Sequence, residues 1–308
     1  MKNFKKITKA VIAVAGYGTR FLPATKNQPK QMLPIIDKPI IHYLVEEAVA
    51  AGIKDVILVT QAGQHALEDY FDSHFEIEKV LEESGKTEYL KIVKDIPQLA
   101  NFIYVRQKKH LPYGNGSPLL AVENLIDDEE SFIYMFGDDL TIAETPVTKQ
   151  IIDIHEKYRP AAVLAVHQVA DNEVHRYGTV KYKENPKIPN EIDYIVEKAP
   201  KGTAPSNMAN DGRFVLSYKV IEEALHTETG AGGELWLVDI LNNLSKKGQT
   251  VIAHPLEGEW MTTGDPLNYI KTTLRFVMER DDIKTEVVEY FSELLEQKAH
   301  DLKRSKKD

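Results

Sequence analysis

The sequence predicts an α/β fold, a three-layer α/β/α sandwich on a mixed, mostly parallel sheet. Three observations carry that prediction. Apolar runs of strand length alternate with amphipathic helical stretches through the first half of the chain. A Gly-, Pro- and Lys-rich loop follows the first apolar run, and doubly wound sheets bind ligands beyond the carboxyl ends of their strands. The chain has 308 residues, 43% of them hydrophobic, which suffices for one large body with a sizeable core.

The elements follow in order. Residues 10–15, Ala-Val-Ile-Ala-Val-Ala, are apolar throughout and read as a buried first strand. The loop 16–34 carries too little apolar surface to be there for packing. Pro39 opens a helix whose Ile41, Leu44, Val45, Ala48 and Val49 share one face, and Gly52 stops it. Val56-Ile57-Leu58-Val59 is a second buried strand, with further strands at 102–105, 132–136 and 162–169. Helical periods separate them around 65–71, 119–125 and 147–158. After Tyr177 the texture changes to short alternating strands at 179–182, 192–196 and 214–217, broken by Pro and Gly turns. Helices return at 234–247 and 267–280. Residues 284–303 form a charged amphipathic helix with Val287, Val288, Phe291, Leu294 and Leu295 on one side. That side is expected to pack on its own subunit, with a partner's surface as the alternative. A frayed tail at 303–308 ends the chain. The expected division is a main body over 1–271 and a helical extension over 272–308, without repeats or a linker.

The formal net charge is -9, so no global basic field recruits nucleic acid. A polyanionic ligand must therefore meet a few Lys and Arg residues focused in one cleft. The absence of cysteine excludes disulfides, thiol catalysis and zinc–thiolate sites. The N-terminus, Met1-Lys2-Asn3-Phe4-Lys5-Lys6, is basic, but the apolar run behind it is short and ends in glycines, unlike a secretory signal. No stretch approaches transmembrane length. A cytoplasmic protein with neither membrane nor nucleic-acid partner is expected.

Chemistry concentrates at Ala15-Gly16-Tyr17-Gly18-Thr19-Arg20. A dinucleotide fingerprint would need glycine where Phe21 stands, and a Walker loop would need Gly-Lys-Ser/Thr. Glycines at a strand's carboxyl end still present backbone N–H groups to an anion. Arg20 adds a fork of donors that cannot deprotonate, and Lys26 and Lys30 add charge close by. A phosphate cradle is the expected role; a tight turn with solvated cations is the bland alternative. Asp138-Asp139 ends the apolar strand Phe132-Ile133-Tyr134-Met135-Phe136, where carboxylates are poorly placed without a task. Hard oxygen ligands suit Mg²⁺, which phosphates would help to hold, while Asp139 has the alternative of capping the next turn. The ten histidines show no ligand spacing, and only His110 is expected near a bound base.

These residues carry a resemblance. The run Gly16-x-Gly18-Thr19-Arg20-Phe21-Leu22-Pro23-Ala24-Thr25-Lys26-x-x-Pro29-Lys30-Gln31-Met32-Leu33-Pro34 resembles the signature of bacterial UTP–glucose-1-phosphate uridylyltransferases. The likeness continues in family order through Asp37-Lys38-Pro39, Glu46-Glu47-Ala48, Tyr104-Val105-Arg106-Gln107 and Gly137-Asp138-Asp139-Leu140. It runs on through Tyr177-Gly178, Val196-Glu197-Lys198, Ala204-Pro205-Ser206-Asn207, Gly230-Ala231-Gly232-Gly233-Glu234 and Gly264-Asp265. The resemblance implies a Rossmann-like, GT-A-like nucleotidyltransferase sandwich. It implies direct in-line attack of glucose-1-phosphate on UTP, giving UDP-glucose and pyrophosphate with Mg²⁺ and no covalent intermediate. Ala15, Gly16, Gly18, Thr19, Lys26, Gln107 and Gly114 would bind the nucleotide, the last pair reading the uracil edge. Arg20, Lys30 and Lys198 would carry the reaction's charge, and Gly178, Glu197, Gly212 and Glu234 would join Lys198 on the sugar phosphate. Asp138 and Asp265 would hold the metal. Glu197-Lys198 as a strand-end ion pair, and Gln107 as a polar strand terminus, are the structural alternatives. A homodimer or homotetramer is the expected assembly.

The chain departs from the family pattern at four places. Pro112-Tyr113-Gly114-Asn115-Gly116-Ser117-Pro118 replaces Gly-Leu-Gly-His-Ala and stands farther from Gln107. Asn210-Asp211 stand where apolar residues are usual. Trp236 replaces a common Gln, as a stacking wall or, the favoured reading, as helix packing. Thr262 occupies the place of a carboxylate that supplies a second metal ligand, and Asp265 or water is expected to substitute. These departures cluster on the sugar and metal side, leaving another sugar-1-phosphate, dTTP, or a non-catalytic sugar-nucleotide-binding relative as the alternatives.

Overall fold

The computed structural model describes residues 5–304, with side chains described through 298. β1 (Lys9–Ala13) runs into the glycine-rich loop, which a small hairpin of β2 (Pro34–Ile35) and β3 (Lys38–Pro39) closes before α1 (Ile40–Ala50). β4 (Asp55–Thr60), α2 (His65–Tyr70), α3 (Phe75–Glu83), α4 (Thr87–Asp95) and β5 (Asn101–Arg106) follow. Next come α5 (Ser117–Ala121), β6 (Ser131–Phe136), β7 (Asp139–Ile142), α6 (Val147–Tyr158) and β8 (Ala162–Gln168). β9 (Gly178–Tyr182), β10 (Ile192–Glu197) and β11 (Met208–Ser217) lead to α7 (Tyr218–His226) and α8 (Leu237–Lys246). β12 (Val251–Pro255), β13 (Glu259–Thr262), α9 (Pro266–Val277) and α10 (Lys284–Arg304) complete the order.

Four parallel strands, β5-β4-β1-β6, form one side of the sheet. β11 enters antiparallel between β6 and β8, and β12 lies parallel to β8. A register break in β11 between Asn210 and Phe214 bends that strand, and β9 and β10 branch antiparallel from its first half. Alternate residues of each strand serve opposite layers. Ala10, Ile12, Val56 and Leu58 pack with Ile41 and Leu44 of α1 and Ile151 of α6. Val11, Ile57, Phe132 and Tyr134 pack with Leu119 of α5, Ile221 of α7 and Leu241 of α8. Two helical layers on one sheet is the sandwich that the strand–helix alternation predicts.

The differences fall where local pattern is weak. No helix was expected between Phe71 and Phe102, yet α3 and α4 form there, and α7 lies outside the expected helices. β7 and β13 pair only with each other, and β12 pairs with β8, so these strands exist through distant partners. The boundary drawn at residue 271 falls inside α9, whose Phe276 meets Tyr43 of α1 at 4.9 Å between ring centroids. The expected packing of α10 on its own subunit is overturned: Phe291, Leu294 and Leu295 are exposed, Leu295 at 69%. An apolar side is buried only where another element covers it, and among the described residues none covers this one. Of the expected tail at 303–308, residues 303 and 304 continue α10 instead, and the rest lies outside the described residues. Among the described residues no helix is long and apolar enough to cross a membrane.

Candidate active site

The loops after β1, β5 and β6 gather above the carboxyl ends of the parallel strands, as strand direction requires. They enclose a cleft of two chambers. The first, about 410 Å³, is lined by Ala15, Gly16, Gly18, Thr19, Arg20, Lys30, Gln107, Gly114 and Asp138, among others. The second, about 500 Å³, is lined by Gly178, Glu197, Lys198, Asp265 and again Arg20 and Asp138. Arg20, Asn115, Phe136, Asp138 and Gly264 belong to both walls and mark the junction. The two groups of residues expected for nucleotide and sugar phosphate are thus largely separated into adjoining spaces.

Four residues lie elsewhere than predicted. Lys26 is exposed and lines neither chamber. Gly212 sits behind the wall, where an added Cβ would come within 2.6 Å of Asp139 Oδ2. Glu234, expected on the sugar side, lines the first chamber instead. His110 is exposed and lines neither space.

The cations are held at the junction in three ways. Lys30 pairs with Asp138 Oδ2. Arg20 Nη1 donates to Gly264 O at 3.1 Å. Lys198 follows the last residue of β10 with φ 47°, a left-handed backbone that costs free energy for a non-glycine residue and recurs at functional sites. Its amide donates to Tyr177 O at 3.0 Å, while its ammonium lies 5.3 Å from the centre of the Trp236 ring and 3.8 Å from Glu197 Oε1. Burial raises the Glu197 carboxyl above its ordinary range, with Lys198 opposing. Gly178 stands opposite Glu197 on β9, and a Cβ there would approach Glu197 Oε2 to 2.7 Å, so glycine makes room for that carboxylate.

Gly114 has φ 122°, and an added Cβ would meet Leu235 O at 2.3 Å. The loop is pinned there: Leu235 N donates to Tyr113 O at 2.7 Å and Gly116 N to Leu235 O at 2.8 Å. The altered loop thereby brings Gly114 to the same chamber as Gln107. Trp236 corrects the packing expectation, for its indole lines the first chamber, fixed by Nε1 donating to Ala231 O at 3.1 Å.

Two carboxylates diverge in role. Asp138 opens on both chambers. Asp139 is buried, starts β7 and faces Thr262 of β13 across the ladder. Burial, reinforced by Asp138, holds its carboxyl well above the usual range. Asp265 caps α9, with Oδ1 accepting from Asn268 N at 3.0 Å, and its Oδ2 accepts from Arg176 Nη2 at 3.0 Å. Both oxygens thus already accept hydrogen bonds from protein donors. Among the described residues no three His, Cys, Asp or Glu side chains cluster as a metal cage. A hard cation would fit only with phosphate oxygens and water completing the shell of Asp138.

Sequence reasoning missed several lining residues. Asn115 joins both chambers, held by Tyr134 Oη donating to its carbonyl at 2.6 Å and by its Oδ1 accepting from Leu237 N at 2.8 Å. Arg176 adds a cation to the second chamber, next to the quoted Tyr177-Gly178. Trp260 lines that chamber too, stacked on His167 at 4.0 Å and edge-on to Tyr177 at 5.4 Å. Its position two residues before Thr262 on β13 was the available signal, since alternate strand residues share a face.

The Nucleotidyl transferase family model matches residues 9–278. A UTP–glucose-1-phosphate uridylyltransferase of Bacillus subtilis (strain 168) is 44% identical over 291 residues, 94% of this chain and 98% of that protein. A UTP-bound UGPase from Acinetobacter baumannii superposes with a TM-score of 0.82 at 34% identity, covering 94% of this chain and 99% of that one. A UDP-glucose pyrophosphorylase complexed with UDP-glucose superposes with a TM-score of 0.77 at 36% identity, covering 89% of this chain and 100% of that one. Matched through its body and along nearly its full length, the chain belongs to the nucleotidyl transferase family, among the UTP–glucose-1-phosphate uridylyltransferases.

Proposed function

We propose that this chain transfers the uridylyl group of UTP to glucose-1-phosphate, releasing pyrophosphate and forming UDP-glucose. The observation that carries the reading is the cleft, where Arg20 and Lys30 of the glycine loop, Asp138 after β6 and Lys198 after β10 line two adjoining chambers, with Arg20 and Asp138 common to both. A reaction that joins two phosphates needs cations where the attacking and leaving oxygens lie, and no protein nucleophile.

The nucleotide lies in the first chamber, with its phosphates on the backbone of Gly16, Gly18 and Thr19 and its base beside Gln107 and Gly114. Arg20 and Lys30 neutralise the leaving pyrophosphate. Glucose-1-phosphate lies in the second chamber, its hydroxyls at Glu197 and Gly178 and its phosphate at Lys198. A phosphate oxygen attacks the α-phosphorus, the bond to the bridging oxygen breaks, and pyrophosphate leaves with the electron pair. Mg²⁺, with Asp138 as its principal protein ligand, would supply further neutralisation of the phosphates. Asp138 must exchange Lys30 for that role, which phosphate binding favours by drawing the ammonium away. Lys26, Gly212 and Glu234 serve at one remove: Lys26 through long-range charge, Gly212 by admitting Asp139, and Glu234 from the nucleotide side. The enzyme works in the cytoplasm, where UTP is supplied, as a homodimer or homotetramer.

Pyrophosphate release across a panel of nucleotides and sugar-1-phosphates tests the reading. Release should be fastest with UTP and glucose-1-phosphate and stop when the metal is chelated. A preference for another pair by more than about tenfold, about 1.4 kcal/mol in transition-state binding, overturns the substrate assignment. Failure to turn over any pair would leave a binding protein.

A further inference from the structure

We infer that Trp236 is a positioning residue for Lys198, holding its ammonium at the junction of the two chambers without neutralising it. The inference rests on the proposed uridylyl transfer and goes beyond it to a residue for which the family pattern supplies no role.

The geometry sets the choice. Lys198 and Glu197 are neighbours at the end of β10, so the nearest anion to the ammonium is Glu197, at 3.8 Å. A close ion pair there would hold the lysine on the sugar-side wall and cancel the charge that the phosphates require. The backbone at Lys198 is left-handed, and its ammonium lies over the indole of Trp236. An aromatic face attracts a cation through its quadrupole and leaves the net charge intact. A phosphate can therefore take the ammonium from the ring without first breaking a full ion pair.

The platform is itself fixed. Trp236 immediately precedes α8, and its Nε1 donates to Ala231 O at 3.1 Å. Trp236 lines the first chamber and Lys198 the second, so their contact spans the boundary where the two phosphates would react. The other two cations rest on different supports, Lys30 on Asp138 and Arg20 on Gly264 O. Lys198 alone of the three rests on an aromatic ring. A Gln at this position, as in the family pattern, has no such face.

Steady-state kinetics on Trp236→Gln, Trp236→Leu and Trp236→Phe test this, each alone and with Lys198→Ala. Gln and Leu should lower kcat about tenfold while KM for UTP changes less than threefold. Phe, which keeps a face, should stay within about threefold of the parent. In the Lys198→Ala background, Trp236→Gln should cost less than twofold more, because the residue it positions is gone. Undiminished kcat in Trp236→Gln, or the same loss with and without Lys198, overturns the inference. A readout independent of turnover comes from indole emission in a Trp260→Phe protein, since the chain has 2 tryptophans. Adding glucose-1-phosphate should shift Trp236 emission as Lys198 leaves the ring, and Lys198→Ala should abolish the shift. An unchanged shift in Lys198→Ala overturns the inference even if a Trp236 variant fails to fold. No turnover in the parent chain would instead overturn the uridylyl-transfer reading, and the emission measurement would still decide the contact.

Discussion

Arg20 and Lys198 belong to segments far apart in the chain, yet both line the second chamber. Alanine at either should lower turnover by roughly 10²–10⁴, the usual loss when a preorganised transition-state charge is removed. Alanine at Lys108 or Lys109, exposed residues that line neither chamber, should do far less. Equal losses in both pairs would mean that bulk charge, not placement, drives the rate. A second residue-scale effect concerns pH. Burial pushes the Asp211 carboxyl up to about 7, against the opposing charge of Arg213 and with Glu47 adding to the rise. Between about pH 4 and 7 the unfolded chain has released this proton and the native chain has kept it, so stability falls as pH rises through that window. His155 and His167 act with the opposite sign, for burial lowers each to about 4. As pH falls from about 6.5 to 4, the unfolded chain takes up those protons first and stability falls. Asp211→Asn should therefore steepen the rise of the thermal midpoint from pH 4 to 7. A pH series of melting curves that superposes parent and variant in slope would refute this.

At the scale of elements, the site's floor depends on one buried ionic network. Arg213 of β11 has no exposed surface. Its Nε donates to both Glu47 oxygens at 3.2 Å, and its Nη2 to Glu47 Oε2 at 2.9 Å and Asp139 O at 2.7 Å. Glu47 of α1 also accepts from Thr148 N at 3.1 Å and Thr148 Oγ1 at 2.6 Å, which brings in α6. Burial pushes the Glu47 carboxyl up, but the Arg213 charge overrides it and keeps the carboxyl below its ordinary value. The network thus ties α1, α6 and β11 to the start of β7, beside Asp138. Arg213→Met should cost roughly 3–5 kcal/mol in urea unfolding, since it strands Glu47 in the interior. A cost below about 1 kcal/mol would show that the network is dispensable. Glu47 belongs to the run Glu46-Glu47-Ala48 and Arg213 follows Gly212, but nothing local links them. Only the meeting of a helix and a strand 166 residues apart makes the pair.

Among the described residues, large apolar side chains stand exposed on α3, α4 and α10. Phe75 of α3 is 76% exposed and Val80 62%, with Ile92 of α4 at 60%. α10 exposes Val288, Phe291, Leu294 and Leu295. Apolar side chains exposed together on one element are a feature of interaction faces. Sedimentation of the full chain should show a dimer or tetramer, and Phe291→Glu with Leu295→Glu should shift it toward monomer if α10 supplies the contact. A monomer at all concentrations would exclude the assembly, and an unshifted oligomer would move the contact to α3 and α4.

Much of the fold was legible in the sequence because its elements declare themselves locally. The apolar strands around Val11, Ile57 and Tyr134, and the helical face of Ile41, Leu44 and Ala48, need only the periodicities of strand and helix. The glycine loop, Arg20 and Lys30 were legible for a related reason: phosphate chemistry restricts which residues can follow the first strand. The rest was decided by tertiary structure. β7 and β13 are strands because they find each other, which sets Asp139 opposite Thr262. Asp265, legible as an acid, is occupied by Asn268 and Arg176. Trp236 turns toward the cleft and meets Lys198, although nothing in its helix-start position says so. Periodicity and composition are properties of a segment, whereas an ion pair, a ladder or a cation over a ring belongs to two segments at once. Their pairing exists only when the sheet has brought those segments together.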